Sequence, residues 1–371
     1  MNRRKFIRSL SLATTVAVIP NIAIWGNKKN NKVELSRVRK TILNHCNSLL
    51  DKSGPYGSYR GGTGMRPSLY ASCDVAIMRT IMGENLMVTL SDLQRQQWID
   101  FINSFAINRG SNYGSYCDTY GHSFHHANGM VIGALGVLGG KQKYPVKLYD
   151  EFDQIEEVIP WLESLDWAKQ WDASHLFWGG MHCYSMSSRC SDAWKDEVFA
   201  WLDENIDEKS GWWKKGVTHA DRHQPLGGSV HILPIYQHLR RRFPYPEKVI
   251  DSVLDLQLPN GRWYERESIH VMAYLELDAL YALMYMSGLA PDYRTDDIRQ
   301  AVNRYADLVT YYWNNHSREM LSLHPHHILA GVGTFGLLNQ LNPDRFTDDV
   351  QWTDIFSDVR FYQTSEVEVT V

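Results

Sequence analysis

Residues 114–140 read GSYCDTYGHSFHHANGMVIGALGVLGG, and this stretch divides into a polar, aromatic half and an apolar half. The apolar half, residues 130–138, is hydrophobic on every side and contains two glycines. A helix that is apolar all round is buried all round, and its glycines allow neighbouring helices to approach closely. We therefore expect a buried inner helix with a cluster of reactive side chains at its N-terminal end.

The pattern of this stretch recurs along the chain at a spacing of roughly 40 to 50 residues, which is typical of a repeat protein. Each repeat has an amphipathic helix, a turn rich in Gly, Asn or Asp, an aromatic residue, a polar stretch and a more apolar helix. The six turns fall at residues 53–59, 108–114, 171–175, 207–213, 258–264 and 314–317.

The repeats predict the fold class. No long alternating strand pattern is present, so the sequence indicates an all-α protein. Six hairpins, each with a buried second helix, predict a closed (α/α)6 toroid of six helical hairpins. Its inner ring is expected to contain residues 130–138, 270–286 and 327–338.

The first 30 residues have the pattern of an export signal. A basic start that includes Arg3 and Arg4 is followed by a mostly apolar run, residues 10–24, which is interrupted by Pro20. This run is too short and too broken to span a membrane, and it fits a signal peptide. The basic start resembles a bacterial twin-arginine (Tat) signal. We therefore predict a periplasmic or extracellular protein with no stable membrane insertion of its mature form.

Length and composition limit the remaining possibilities. The chain has 371 residues and a net charge of −4 with both signs interspersed, and no basic stripe suggests a nucleic-acid partner. Five cysteines, an odd number, do not make a disulfide framework. The predicted organisation is a signal peptide at residues 1–30, a toroid catalytic domain at residues 31–345 and a C-terminal tail at residues 346–371.

One turn carries a family resemblance. Residues 257–263, QLPNGRW, look like the Q-x-x-x-G-x-W repeat of squalene cyclases, and residues 209–213 are similar but lack the leading Gln. The hairpin pattern over residues 33–342 resembles the α/α-toroid group, which includes terpenoid cyclases, protein prenyltransferases, six-hairpin glycosidases and toroid polysaccharide lyases. The resemblance implies a fold and leaves the activity open. We expect Trp213 and Trp263 of these turns to pack within their hairpins.

Twelve of the fifteen histidines lie in the polar stretches before the inner helices or on those helices. A closed ring brings such segments together at one mouth, where helix N-termini favour anions. The predicted catalytic residues are His122, His126, His182, His223, Tyr264 and His270, with His126 and Tyr264 favoured for proton transfer. The predicted substrate-binding residues are Arg66, Asn128, Trp178, Tyr184, Asp221 and Glu265.

Histidine and tyrosine are suited to proton transfer near neutral pH. A His–Tyr–Asn–Arg set resembles that of toroid polysaccharide lyases, in which Asn or His neutralises a uronate carboxylate and Tyr or His takes the C5 proton. The first hypothesis is therefore a carbohydrate-active enzyme, either a lyase on a uronate-containing glycan or a glycoside hydrolase. A hydrolase needs two facing carboxyl groups, and no pair stands out among Asp74, Asp118, Asp172, Asp221, Glu265 and Glu267.

Two other classes stay open. A terpenoid cyclase would need a D-x-D-D acid, which is absent, and a prenyltransferase would need a zinc-binding cysteine in a late repeat, but no cysteine follows Cys190. A non-catalytic glycan-binding toroid would keep the aromatic residues. No cofactor is predicted, but a divalent metal stays open as an option, because the motifs at residues 219–223 and 324–327 contain metal-ligand types at short spacing.

Overall fold

A computed structural model describes residues 32–264 and 271–363. This part of the chain is mostly helical, which confirms the all-α prediction. Its only sheet is a parallel pair of two-residue strands, β1 (Val33–Glu34) and β2 (Phe346–Thr347), beside a few isolated bridges. The predicted signal peptide, Glu265 and His270 lie outside the described residues. None of the described helices combines the length and the apolar character needed to cross a membrane.

The described α-helices are, in chain order, α1 (Leu35–Leu49), α2 (Leu69–Ile81), α3 (Leu86–Thr89), α4 (Asp92–Asn103), α5 (Phe124–Leu138), α6 (Asp150–Asp153), α7 (Ile155–Ser164), α8 (Gln170–Ala173), α9 (Cys183–Ser185), α10 (Asp192–Glu204), α11 (Gln224–Ser229), α12 (Leu233–His238), α13 (Pro246–Leu256), α14 (Tyr274–Leu289), α15 (Thr295–Leu321) and α16 (Pro325–Leu341). A π-helix (Phe177–His182) continues into α9, and short 3-10 helices cover Lys147–Tyr149, Trp167–Lys169 and Val359–Phe361.

Two kinds of helix alternate along the chain. Helices α2, α5, α14 and α16 bury most of their residues, whereas α1, α4, α10 and α13 bury one face. The buried helices touch one another in sequence: α2 packs against α5, α5 against the π-helix, α11 against α14, and α14 against α16. Helix α16 packs in turn against α2, so the last buried helix contacts the first.

The turns share one backbone conformation. Four glycines with φ between 75° and 93° each precede a buried aromatic residue by two positions: Gly57 before Tyr59, Gly114 before Tyr116, Gly211 before Trp213, and Gly261 before Trp263. A positive φ favours glycine because it has no Cβ. The indole N–H of Trp213 donates to the carbonyl of Leu202, and that of Trp263 donates to the carbonyl of Val253. The expectation that these two tryptophans pack within their hairpins is confirmed.

Three local predictions were wrong. Residues 314–317 are not a turn, because α15 continues through them and the Asn315 amide donates to the Tyr311 carbonyl inside the helix. Pro325, whose place among the histidines of residues 324–327 predicts an interrupted helical face, instead opens α16. In the first turn of a helix the backbone N–H that proline lacks would have no partner within the helix. The apolar helix of the fourth repeat, expected over about residues 229–239, is broken into α11 and α12, since Pro234 has to lie in the first turn of a helix.

The segment of residues 346–363 packs against the buried helices. Its aromatic side chains Trp352, Phe356 and Tyr362 are buried. A Cβ at Gly336 of α16 would lie 1.8 Å from the Thr353 carbonyl oxygen, so this segment can approach α16 only because position 336 has no side chain. These residues, which the sequence assigns to a C-terminal tail, are therefore part of the packed structure. All five cysteines are free.

Candidate active site

Six aromatic side chains from five segments meet where α2, α5 and α16 begin. We call this group the histidine cluster; its members are Tyr70, Tyr120, His122, His126, His175 and His326. The rings of His122 and His126 are stacked with centroids 4.2 Å apart, and the ring of His326 lies 5.3 Å from His122 and 5.5 Å from His126. The ring of His175 approaches the same pair at 5.0 Å and 4.9 Å.

Helix caps place these side chains. Helix α5 begins at Phe124 because the Ser123 hydroxyl accepts the backbone N–H of His126, so His126 lies in the first turn. Ser68 caps α2 in the same way, and the Asp118 carboxylate accepts the backbone N–H of Leu69. That contact attaches the loop before α5 to the start of α2. Three helix N-termini, with their partial positive charge, therefore adjoin the cluster.

Two hydrogen bonds orient the buried rings. The Oη atom of Tyr70 lies 2.7 Å from Nδ1 of His126, and Oδ1 of Asp74 lies 3.0 Å from Nδ1 of His326. Burial raises the pKa of both Asp74 and Tyr70. The second carboxylate oxygen of Asp74 is buried and has no hydrogen-bond partner within the described part of the chain; Nδ1 of His324 is 4.0 Å away. In both hydrogen-bonded histidines, Nε2 is the nitrogen that remains for other partners.

The four imidazoles of the cluster are neutral near pH 7. Burial, followed by the neighbouring imidazoles, lowers the pKa of His122 and of His175 to about 4. Burial lowers the pKa of His326 to about 3, and the same causes hold that of His126 well below its ordinary value. Neutral imidazoles have a lone pair that can accept a proton or bind a metal ion.

The cluster is open to solvent on one side. Tyr120 is 38% exposed, and both His122 and His175 are partly exposed. The ring of His122 contacts Tyr120 at 6.0 Å on one side and His175 at 5.0 Å on another. Tyr120 also stacks on His324 at 4.3 Å. A molecule that reaches the cluster therefore meets a phenol and two imidazoles first.

Three of the predicted site residues belong to this region. His122 and His126 are members of the cluster, and the ring of Trp178 lies 4.9 Å from His126. Arg66 is exposed and precedes α2 by three residues. The structure does not bring together the whole predicted set at one point.

Three other predicted residues occupy packing positions. His182 stacks on Tyr362 at 4.0 Å, and its Nε2 lies 3.0 Å from Nδ1 of His238. Asn128 is fully buried and donates to the Gly179 carbonyl at 2.7 Å. The hydroxyl of Tyr184 donates to Asp153 at 3.2 Å, and its ring is buried.

A separate group contains the predicted residues of the fourth and fifth repeats. The rings of His223 and Tyr264 are 5.6 Å apart, and the carboxylate of Asp221 accepts the backbone N–H of His223 at 2.8 Å. The ring of Trp171 contacts Tyr264 at 6.0 Å. These side chains neighbour one another as a second group of aromatic and titratable residues.

Four members of the histidine cluster are not among the predicted catalytic and substrate-binding residues: Tyr70, Tyr120, His175 and His326. The sequence does indicate that Tyr70 and Asp74 converge on the mouth, because Tyr70 starts an inner helix four residues before Asp74 and residues at this spacing share a helix face. His326 lies in one of the two short motifs with metal-ligand types. Sequence spacing gives no sign that His326 meets His126, since the two are 200 residues apart in the chain.

The cluster also contains a set of metal-ligand atoms. One nitrogen from each of His122, His126 and His326 can be chosen so that all three lie within 4.8 Å of one another. The motif at residues 219–223 contributes none of these atoms, and the motif at residues 324–327 contributes one. The same three imidazoles are therefore candidates for metal binding as well as for proton transfer.

The chain matches no family model, no curated protein and no solved structure.

Proposed function

We propose that the protein is an exported carbohydrate-active enzyme, a polysaccharide lyase that acts on a uronate-containing poly- or oligosaccharide. The observation that supports this proposal is the histidine cluster itself: neutral imidazoles and protonated phenols lie together, partly open to solvent, beside three helix N-termini. Such groups can take and return protons, and helix N-termini favour an anionic substrate.

The two accessible groups on either side of His122 have complementary protonation states. His175 is neutral near pH 7 and can accept a proton, whereas burial raises the pKa of Tyr120, which therefore holds its proton. In the proposed β-elimination, His175 takes the C5 proton of the uronate. The C4–O bond then breaks, the leaving oxygen takes the proton of Tyr120, and a C4=C5 double bond forms.

A lyase accounts for this site better than a hydrolase does. A glycosidase needs one carboxylic acid and one carboxylate facing each other across the sugar. Two carboxyl groups beside the cluster have other partners: Asp74 is fully buried and bonds to His326, and Asp118 accepts the backbone N–H of Leu69.

The proposal includes a closed (α/α)6 toroid as the scaffold. The contact between α16 and α2 and the recurring glycine–x–aromatic turns support it. It also includes export by the twin-arginine route, which the basic start of the chain supports. Replacing both Arg3 and Arg4 with lysine is expected to block export by that route. Unchanged amounts of exported protein in this variant would exclude it.

The experiment that tests the function is a screen of the purified protein against uronate-containing glycans, with ultraviolet absorbance of the unsaturated uronate as the readout. We expect His175→Gln and Tyr120→Phe each to lower turnover by about 100-fold with little change in melting temperature. Tyr311→Phe is the matched control, because Tyr311 is a similarly exposed tyrosine on α15. Release of reducing ends without ultraviolet absorbance would identify a hydrolase and overturn the lyase proposal.

A further inference from the structure

Three imidazoles of the histidine cluster come from separate places in the chain and converge. His122 lies in the loop before α5, His126 in the first turn of α5, and His326 in the first turn of α16. One nitrogen of each lies within 4.8 Å of the others. We propose that His122, His126 and His326 form a binding site for a divalent transition-metal ion, with Zn²⁺ as the preferred ion.

The partners of two of these rings are the kind that metal-binding histidines have. A ligating histidine usually donates its second ring N–H to a carboxylate or another oxygen, which fixes the tautomer and the ring orientation. His326 has the Asp74 carboxylate at 3.0 Å from Nδ1, and His126 has the Tyr70 hydroxyl at 2.7 Å from Nδ1. Both arrangements leave Nε2 as the ligand atom. Asp74, which is fully buried, therefore occupies the position of the outer partner that orients a ligating imidazole.

The ligand set selects the class of metal. Three imidazole nitrogens suit Zn²⁺, Co²⁺, Ni²⁺ or Cu²⁺, whereas Ca²⁺ and Mg²⁺ require oxygen ligands. Zinc sites with three protein ligands keep a fourth position for water or substrate. The partial exposure of His122 provides access to that position. With Zn–N bonds of about 2.0–2.1 Å, tetrahedral geometry brings the nitrogens to about 3.3 Å from one another, so the rings draw together on binding.

The proposed metal site would give the histidine cluster a second role, metal binding, which does not depend on the proposed lyase activity. Because the ring of His122 contacts both Tyr120 and His175, an ion held by His122 would be near the proposed acid and base. A divalent ion in that place would supply Lewis-acid chemistry: it would bind a substrate carboxylate and stabilise negative charge beside it. Metal binding can be measured without any substrate, so the two proposals can fail separately.

The experiment uses the full chain without a polyhistidine tag. The protein is stripped with a chelator, dialysed and titrated with Zn²⁺ in competition with a chromophoric chelator. We expect one tightly bound equivalent. Titration with Co²⁺ is expected to give the intense visible absorption of a four-coordinate ion. Absence of stoichiometric binding at micromolar protein concentration would overturn the inference.

Alanine variants of single histidines test which side chains bind the zinc ion. His122→Ala, His126→Ala and His326→Ala are each expected to lose the tightly bound equivalent, while His316→Ala, on the exposed side of α15, keeps it. Because His126 and His326 are buried, His122→Ala is the decisive variant if the other two fail to fold. Zinc binding that is unchanged in His122→Ala would contradict the site.

A fourth variant tests the role of the carboxylate. Asp74→Asn is expected to weaken zinc binding by about 10- to 100-fold, as the loss of an outer-shell partner does. Unchanged zinc affinity in a folded Asp74→Asn protein would contradict this arrangement of ligands. A protein that binds zinc at the three histidines but acts on no uronate glycan would retain the metal site and overturn the proposed function.

Discussion

The hydroxyl of Tyr70 lies 2.7 Å from Nδ1 of His126, and the two rings are almost parallel, with an angle of 5° between their planes. This contact joins the first turn of α2 to the first turn of α5. Both side chains are buried, so the hydrogen bond fixes which nitrogen of His126 faces the centre of the histidine cluster.

Tyr70→Phe keeps the ring and removes this hydrogen bond. We expect a loss of about 1 kcal/mol in the free energy of unfolding and about a 10-fold loss of zinc affinity, measured by denaturant unfolding and by chelator competition. Tyr281→Phe is the control, since its hydroxyl donates to Gln237 at the same distance of 2.7 Å outside the cluster. Equal zinc affinity in both variants would show that Tyr70 serves packing alone.

Gly179→Ala tests how closely the π-helix approaches α5. A Cβ at this position would lie 1.6 Å from the His125 carbonyl oxygen and 2.5 Å from the Gly129 backbone nitrogen. Backbone atoms cannot give way as a flexible side chain can, so we expect a loss of about 3 kcal/mol or more in the free energy of unfolding.

Gly133 provides the control for that variant, because it lies in α5, the helix that the π-helix contacts, and has more room. A Cβ at Gly133 would have Ile77 Cδ1 as its nearest neighbour, at 3.3 Å, and that atom ends a flexible side chain. Gly133→Ala is expected to change stability by less than about 1 kcal/mol, whereas Gly133→Leu overpacks the site and costs about 1–3 kcal/mol. Equal stability of Gly179→Ala and Gly133→Ala in urea unfolding would refute the close approach.

Tyr362→Ala tests whether residues 346–363 belong to the fold. The ring of Tyr362 is fully buried, stacks on His182 at 4.0 Å, and its hydroxyl donates to the Ile355 carbonyl. Removing a buried aromatic ring costs about 3–5 kcal/mol, so we expect a large drop in melting temperature. Tyr362→Phe should lose only the hydrogen bond, about 1 kcal/mol. A melting temperature unaffected by Tyr362→Ala would show that this segment is not packed in solution.

Asp348 gives the protein a pH-dependent stability. Its carboxylate accepts two hydrogen bonds from Arg39 and one from Trp352, and its side chain is inaccessible to solvent. Burial by itself would raise the pKa of Asp348, but these hydrogen bonds outweigh burial and hold the pKa well below its usual value. A depressed pKa stabilises the folded state above the unfolded pKa of about 4, and this contribution is lost as the pH falls below that value.

Asp348→Asn is therefore expected to cost about 2–3 kcal/mol near pH 7. Because the wild type loses the same contribution in acid, the difference between the two proteins should shrink progressively below about pH 4. Asp349→Asn is the control: its carboxylate also bonds to Arg39 but is largely exposed, and surface ion pairs contribute little. A difference that stays constant from pH 7 into the acid range would contradict the assignment.

The sequence by itself predicted the helices whose hydrophobic pattern is unambiguous. The apolar run at residues 130–138 lies in α5 and is buried, as expected. Periodicity did not reveal that α15 continues through residues 314–317, because two asparagines and a serine are turn formers in isolation. Helix propensities differ by less than about 1 kcal/mol per residue, and packing of the rest of a long helix overrides them.

For the candidate site, too, local sequence patterns predicted one part and long-range packing decided the other. The sequence placed histidines at the beginnings of buried helices, because capping and hydrophobic patterns are local and each can be recognised within one segment. Tertiary structure decided which of them meet. Contact between α16 and α2 brings His326 beside Asp74, 252 residues away, and completes the group with His126. His182 also lies on a buried helical segment, yet it packs against Tyr362, since neighbours across a core depend on which helix faces touch and no periodicity encodes that.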